Sequence, residues 1–447
     1  MKILLINPSW NTVGGIWKGV HSVFPPIGLL SIAAVLEKAG HEVKVFDVNV
    51  EEQKLVDLID YQPDIVGITI TTATANSGYE TAKQCKFEMW PLCKIIIGGC
   101  HASVEPAEVL KHCDVVIVGE GEGIINEVIG MNLNGIVRGF PVMNVDSLPM
   151  PAYHLVDLKK YHPATGGYKQ LPAMLLITSR GCPGNGKTHC CYCYQPFGNL
   201  IRQKSPENIM NEVKWLVEQG GIRELSFYDD NFTTIKPNLM KFCKLLEDYQ
   251  KDKKIKLTWS CFARIDWLDL DKIKAMKASG CHTVLFGVES GNTHIREDVC
   301  HKKLDVEKAF VINKLLKKHG IETRASFIFG FPEDTVQTMN ETIQTAIEID
   351  PDVASFNILC PNPGTEVYDL GVKNGWLKPG MWDSFDLATV VLKIPTATEA
   401  EILQAYKDAH RRFYLRPKYI WRRLLKSFTP TGFKNNIAGL KAVLKVS

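Results

Sequence analysis

No stretch of ~20 uninterrupted apolar residues occurs in this 447-residue chain, so hydropathy gives no membrane-spanning helix. The opening MKILLINPSW is too short an apolar run for a signal peptide and has no small-residue cleavage site, and the expected compartment is the cytoplasm. Long polar and repetitive tracts are missing too. With 45% hydrophobic and 23% charged residues, this excludes a disordered chain or a solenoid. Thirteen cysteines form no paired framework; nine stand singly, among them Cys85, Cys113 and Cys243, as buried thiols do in a reducing compartment. Acid is absent at one end. From Arg411 to Ser447 there are ten Lys or Arg and no Asp or Glu, which leaves a formal −7 on residues 1–410 when the ten are taken from the overall +3.

What is present reads as two domains and an appendage, since one core rarely spans such a length. Over the first ~130 residues, apolar runs such as KILLIN, VKVFDV, DIVGITI, KIIIGG and DVVIVG alternate with amphipathic segments. That is a βαβαβαβαβ series, an α/β fold with a doubly wound, Rossmann-like parallel sheet. Ligands of such sheets settle at the C-terminal strand ends, which here carry Asn7 to Ser9, Thr69 to Thr72, Gly98 to Ser103 and Gly119 to Gly123. Residues 141–170, rich in Pro, Gly and Tyr, break the alternation as a linker between a domain over 1–140 and a second over 171–385. The second alternates AMLLITSRG, ELSFYDD, LTWSCFAR, TVLFGVES, TRASFIFG and ASFNILCP with helices, giving a partial (β/α)6 barrel of the TIM type. Its strands end in Arg180 and Cys182, Asp229 and Asp230, Arg264, Glu289 and Ser290, Gly330, and Cys360. Residues 386–447 form a helical, basic C-terminal region.

The segment SRGCPGNGKTHCCYC, residues 179–193, holds four of the cysteines directly after the first barrel strand. Cys182, Cys190 and Cys193 make C-x7-C-x2-C, and three thiolates on one loop suit a 4Fe–4S cluster with one iron left open. A structural zinc site would want four closed ligands, and the fourth would be Cys191 or His189, each crowded by its neighbours.

SRGCP, FYDDNFT, ARID, GCHTVLFGVESG, IFGFPEDT and PNPGTEVYD, at the successive strand ends, together resemble the radical S-adenosylmethionine (SAM) enzymes of the cobalamin-binding subclass. The resemblance runs to at least residue 425, and in the first domain FPPIGLLSIAAVLEKAGHEVKVFDVN and IIIGGCHAS look like the B12-binding module that precedes the barrel there. The family's usual spacing is C-x3-C-x2-C; here the intervening PGNGKTH is four residues longer, a glycine-rich extension that a loop tolerates. Cys190 is preferred to Cys191 because it alone leaves a two-residue gap ending in an aromatic, Tyr192.

The resemblance implies that SAM chelates the open iron. Tyr192 would stand beside it, Asp229 and Asp230 would accept its ammonium, Arg264 would meet its carboxylate, Glu289 and Ser290 the ribose, and Gly330 the adenine. From the residues alone, Asp229 and Asp230 also read as a capped turn, Arg264 and Glu289 as a rim ion pair, and Gly330 as a strand-end turn. Cobalamin would lie across Ser9, Thr71, Gly98, Gly99, His101 and Gly119. The sequence lacks Asp-x-His-x-x-Gly, so no protein histidine is expected on cobalt, and the nucleotide tail is expected inside the domain. His101 then reads as a polar loop residue near the corrin.

The implied chemistry is reductive cleavage of SAM to a 5′-deoxyadenosyl radical and methylation of an unactivated carbon in a small-molecule, lipid or tetrapyrrole-like substrate. Electrons would come from an external donor such as flavodoxin or ferredoxin. No protein acid or base is required, and Cys360 would either donate hydrogen or pack. A radical cyclase or rearrangement enzyme would use the same cofactors; a cobalamin sensor with a merely structural cluster is the reading from another class. Nothing points to nucleic acid. In the tail, Ile420, Trp421, Leu424, Leu425 and Phe428 share one helical face and Lys418, Arg422, Arg423 and Lys426 the other, and Phe433, Ile437, Leu440 and Leu444 repeat the design. Residues 411–447 therefore either bind the inner membrane face peripherally or dock on the barrel.

Overall fold

The computed structural model describes residues 1–10, 23–163, 167–184, 189–377 and 382–426. Six strands form the first sheet: β1 Lys2–Asn7, β2 Glu42–Asp47, β3 Ile65–Thr69, β4 Lys94–Gly98, β5 Val115–Val118 and β6 Gly135–Arg138. They run parallel in the order β2-β1-β3-β4-β5-β6. Its central strands are continuous apolar runs because helices cover both faces, and Ile3 to Ile6, Ile95 to Ile97 and Val115 to Val118 are all buried. The sequence pattern gave five strands; β6 escapes it because an edge strand with exposure on alternate residues has no apolar run to announce it.

The second sheet consists of β7 Ala173–Leu176, β10 Glu224–Phe227, β11 Thr258–Phe262, β12 Cys281–Glu289, β13 Glu322–Phe329 and β14 Val353–Ile358, parallel and in sequential order. Among the described residues β14 does not pair back to β7, so the barrel is open along one seam. Between β7 and β10 lies a two-stranded antiparallel ribbon, β8 Ser179–Arg180 with β9 Arg202–Gln203, which brackets the cysteine loop. AMLLITSRG is thus two short strands rather than one. The chain turns between them at Thr178, and the backbone N–H groups of Thr178 and Ser179 go to the Asp229 carboxylate.

On β13 and β14 burial alternates. Phe327, Phe329 and Phe356 are buried on the outer face, where Phe356 packs on Phe413 of the helix Glu399–Tyr414, and the opposite residues face the lumen. Thr398 caps that helix in a capping box with Glu401. The last described helix, Pro417–Lys426, docks by its basic side: Arg416 and Arg422 each bond the Asp350 carboxylate, at 2.9 and 2.8 Å, and Arg423 donates to the Asp352 carbonyl. Ile420, Trp421 and Leu424 face outward, Trp421 being 66% exposed. The side chains of Leu425 and Lys426, and the second amphipathic segment with Phe428 and Phe433, lie outside the described residues.

Candidate cofactor site

The cysteine loop is built from its anchors. Asp229, at the end of β10 and 1% exposed, accepts the backbone N–H groups of Thr178 and Ser179 on one oxygen and the Thr178 hydroxyl on the other, each at 2.6 Å. Burial pushes its carboxyl up to about 6 despite these bonds. The chain then passes Gly181, where φ is +91° and a Cβ would run into the carbonyl of Leu200, so only glycine fits. Cys182 N–H bonds Gly198 at 3.2 Å, and Cys193 N–H closes a tight turn onto the Cys190 carbonyl at 3.0 Å.

Cys182, Cys190 and Cys193 are partly exposed and lie near one another, Cys190 acting electrostatically on both Cys182 and Cys193. Burial, then the neighbouring Cys190, Asp230 and Cys182, push Cys193 up to about 12. Thiols that resist ionisation beside one another are stabilised as thiolates by a shared cationic centre, so the donor set fits an iron–sulfur cube. Among the described residues no three His, Cys, Asp or Glu side chains already stand at single-ion distances, the three cysteines included. Cys191 is turned away: it is buried, donates its N–H to the Cys300 carbonyl and accepts from Val367. Residues 185–188 of the insertion lie outside the described residues.

Around this pocket the expected SAM residues divide. Asp230 is open to solvent within the concavity, faces Cys182 and Cys193, and makes no hydrogen bond among the described residues; desolvation raises its carboxyl. Glu289 is buried, holds φ at +70°, and pairs with Lys302 Nζ at 2.6 Å while accepting from Ser326. Arg264 is held by Asp266 (2.9 Å), by the Gly184 carbonyl of the cysteine loop and by the Lys303 carbonyl, and it lies over the Trp267 ring. Ser290 is turned into the helical side, against Thr342. Gly330 has φ +89°, and its N–H is accepted by buried Asp334, which also takes the Phe331 N–H and the Thr338 hydroxyl. Tyr192 sets its ring edge on Phe331 at 5.8 Å. Cys360, after β14, is buried and its thiol is pushed up to about 12 by that burial.

In the first domain an apolar cavity of about 1580 Å³, open mouth included, runs from the strand ends down the face of the sheet beneath the helix Ile27–Lys38. Thr71, Gly98, Gly99 and Gly119 line it, as does Ser103. Gly99 (φ +107°) has no room for a Cβ against the Ile70 carbonyl. Ser9 and His101 stand outside this lining. His101 is fully buried, with Thr72 at 3.3 Å on Nδ1 and Trp382 edge-on at 4.9 Å. A deep apolar slot under small residues fits a corrin's nucleotide tail.

The cavity wall continues into the cysteine ribbon through Thr178, Ser179 and Arg180. Arg180 binds Glu120 and Glu122 of the first domain, both at 2.5 Å, and Arg202 of β9 binds the other oxygen of Glu120 at 2.5 Å. The carboxylate of Glu120 is held below the usual range by Arg202 and Arg180, which outweigh its burial. Sequence reasoning missed this clamp along with Cys300, Lys302 and Asp334. Asp334 could have been found from Thr338 four residues on; the others carry no local pattern and are assembled by the fold.

The model of the B12 binding domain matches residues 17–129, and that of the Radical SAM superfamily residues 176–346. An uncharacterized methyltransferase of Pyrococcus horikoshii is 32% identical over 99% of this chain and 98% of its own. An anaerobic magnesium-protoporphyrin IX monomethyl ester cyclase of Cereibacter sphaeroides is 25% identical over 100% of this chain and 75% of its own. A solved structure of the radical SAM methyltransferase TsrM from Kitasatospora setae, with cobalamin and a 4Fe–4S cluster bound, has the same fold at a TM-score of 0.68, over 99% of both chains and at 16% identity. With the cysteine loop on an open barrel and the slotted sheet before it, the chain belongs to the radical SAM superfamily, among the members that carry a B12 binding domain.

Proposed function

We propose that this enzyme methylates an unactivated carbon of a small-molecule substrate, with a 4Fe–4S cluster on Cys182, Cys190 and Cys193, SAM at its open corner, and cobalamin across Thr71, Gly98, Gly99 and Gly119. The observation that carries the reading is the loop of Cys182, Cys190 and Cys193 joined through Arg180 to an apolar slot in the preceding domain. When bound, the cluster and SAM supply a 5′-deoxyadenosyl radical and cobalamin supplies the methyl group. The chain's own part is to bind, orient and exclude water. Asp230, with no partner of its own, is the carboxylate suited to an ammonium, and Glu289 is held by Lys302 at the pocket wall. The 32% identical relative, named a methyltransferase, favours methylation over cyclisation.

Anaerobic reconstitution with iron, sulfide and hydroxocobalamin, followed by mass spectrometry of extracts, tests this. The expected result is SAM cleavage to 5′-deoxyadenosine and a product heavier by one methyl group. The C182A/C190A/C193A variant is expected to lose both its cluster absorption and all cleavage. Iron and turnover retained by that variant would overturn the reading.

Reduction requires an external donor, of the flavodoxin or ferredoxin kind. Among the described residues no helix is long and apolar enough to cross a membrane. The reading extends to a chain of the cytoplasm whose helix Pro417–Lys426 touches an anionic membrane surface, because its apolar residues face outward and its tail is basic. Each basic residue near such a surface contributes about 1 kcal/mol. Binding to anionic vesicles is expected to fall at least tenfold in W421E, a change at an exposed position that leaves the docked arginines alone. Equal binding by W421E and the parent chain would remove the membrane from the reading.

A further inference from the structure

We propose that the barrel bore binds a flat aromatic ring carrying a carboxylate, held between Tyr228 and Arg324 beneath Asp230. This names the substrate class of the methylation reading above and rests on it. Strand register defines the site. Phe227 is paired with Cys261, Phe262 with Leu285, Leu285 with Arg324, and Arg324 with Val353. Phe227 is completely buried on the outer face, against Phe242 and Trp259. Tyr228, next along the chain, continues the ladder to the Leu176 carbonyl at 2.9 Å and turns inward. Tyr228, Phe262, Leu285 and Arg324 thus form one inward layer, of the kind that fills a (β/α) barrel. One layer down, Ser226 and Ser260 are buried with their hydroxyls 3.3 Å apart and close the bore. One layer up, about 7 Å along the strand, stands Asp230.

The layer is aromatic on one side and cationic on the other. The Tyr228 ring lies 4.9 Å from that of Phe24 in the first domain and 5.0 Å from that of Phe262, the latter edge-on. Even so Tyr228 is 36% exposed, and its hydroxyl makes no hydrogen bond among the described residues. Clustered rings that leave a surface open to water inside a concavity gain from a further ring, which can stack offset or meet them edge to face. A saturated ring of the same size lacks the quadrupole and gains only burial. Arg324 supplies the positive charge of the layer. It has a contact of its own in the chain, but a guanidinium carries five N–H donors, and its planar fork matches a carboxylate. A ring against Tyr228 with its carboxylate at Arg324 is fixed at two points. Its remaining edge is then left for reaction toward the strand ends, where Asp230 and Glu289 stand.

The test varies ring and charge separately. Saturation-transfer difference NMR titrations on the reconstituted holoenzyme compare 3-phenylpropionate, 3-cyclohexylpropionate and 3-phenylpropionamide. The aromatic acid is expected to bind about tenfold more tightly than either of the others. Y228L is expected to erase the preference for the flat ring and keep that for the acid, and Y228F to keep both. R324Q is expected to erase the preference for the acid and keep that for the ring. Loss of folding does not produce such a crossed pattern, and the wild-type ratios stand whether or not a variant folds. Equal binding of the three probes, no binding of any, or preferences that survive in both Y228L and R324Q overturn the inference. A holoenzyme that cleaves SAM to 5′-deoxyadenosine yet shows no such selectivity overturns only this inference, whereas a chain that assembles no cluster overturns the reading beneath it.

Discussion

R180M is expected to lower the unfolding free energy by about 3–5 kcal/mol, because it strands Glu122 as an unpartnered carboxylate in a nearly dry interface. The side chains of Arg180, Glu120 and Glu122 are 12%, 3% and 8% exposed, so water cannot replace the lost guanidinium. Glu120 retains Arg202, and the damage should fall on Glu122 and on the contact between the two sheets. The double variant R180M/E122Q removes the stranded charge and should recover part of the loss. Urea denaturation checks both: the parent chain should unfold in one transition and R180M in two, with the first domain released from the barrel. Since Arg180, Glu120 and Glu122 also line the slot, the cobalamin content of reconstituted R180M should fall in parallel. A single transition at the parent midpoint would show that the clamp contributes nothing to docking.

The second large effect is expected at Asp229. D229A leaves two backbone N–H groups and one hydroxyl unsatisfied in a buried site, each costing about 1–3 kcal/mol, and should lose both stability and iron. D229N should fold. Both N–H groups go to the same oxygen, which the amide carbonyl replaces, and the Thr178 hydroxyl can reverse to accept from the amide nitrogen. The pH dependence gives a further sign. The carboxyl is raised to about 6 in the folded chain, so its contribution to stability is full below the unfolded value and is lost as pH rises through 6. The melting temperature of the parent chain should therefore fall relative to D229N between pH 4 and 7. D229N that folds and binds SAM normally would assign the ammonium contact to Asp230; D229N that folds but loses SAM would return it to Asp229.

How much could be read from residues alone depended on whether an interaction is local. Apart from β6, the strands of both sheets were legible because uninterrupted runs such as KIIIG and alternating ones such as TRASFIF are imposed by burial on two faces or one. The three-cysteine spacing is local in the same way, since Cys182, Cys190 and Cys193 fall within twelve residues. The roles of Asp229 and Arg264 were less so: sequence places a charge at a strand end but does not say whether backbone or ligand will meet it, and here both are held by the chain itself. Glu120 and Arg202 were invisible because their partners are 60 to 82 positions away. For the last described helix two dockings were open from the residues alone, and Asp350 and the end of the barrel supply the acceptors that draw its arginines inward.

The seam between β14 and β7 has a consequence for what such a scaffold can hold. In a closed barrel the strand number and stagger fix the girth, and a wider guest would have to break ladder bonds. Here the two border strands owe each other no backbone bonds, so the bore can splay or tighten by a change in the flanking loops alone, and reagents of very different bulk can be served without redesigning the sheet.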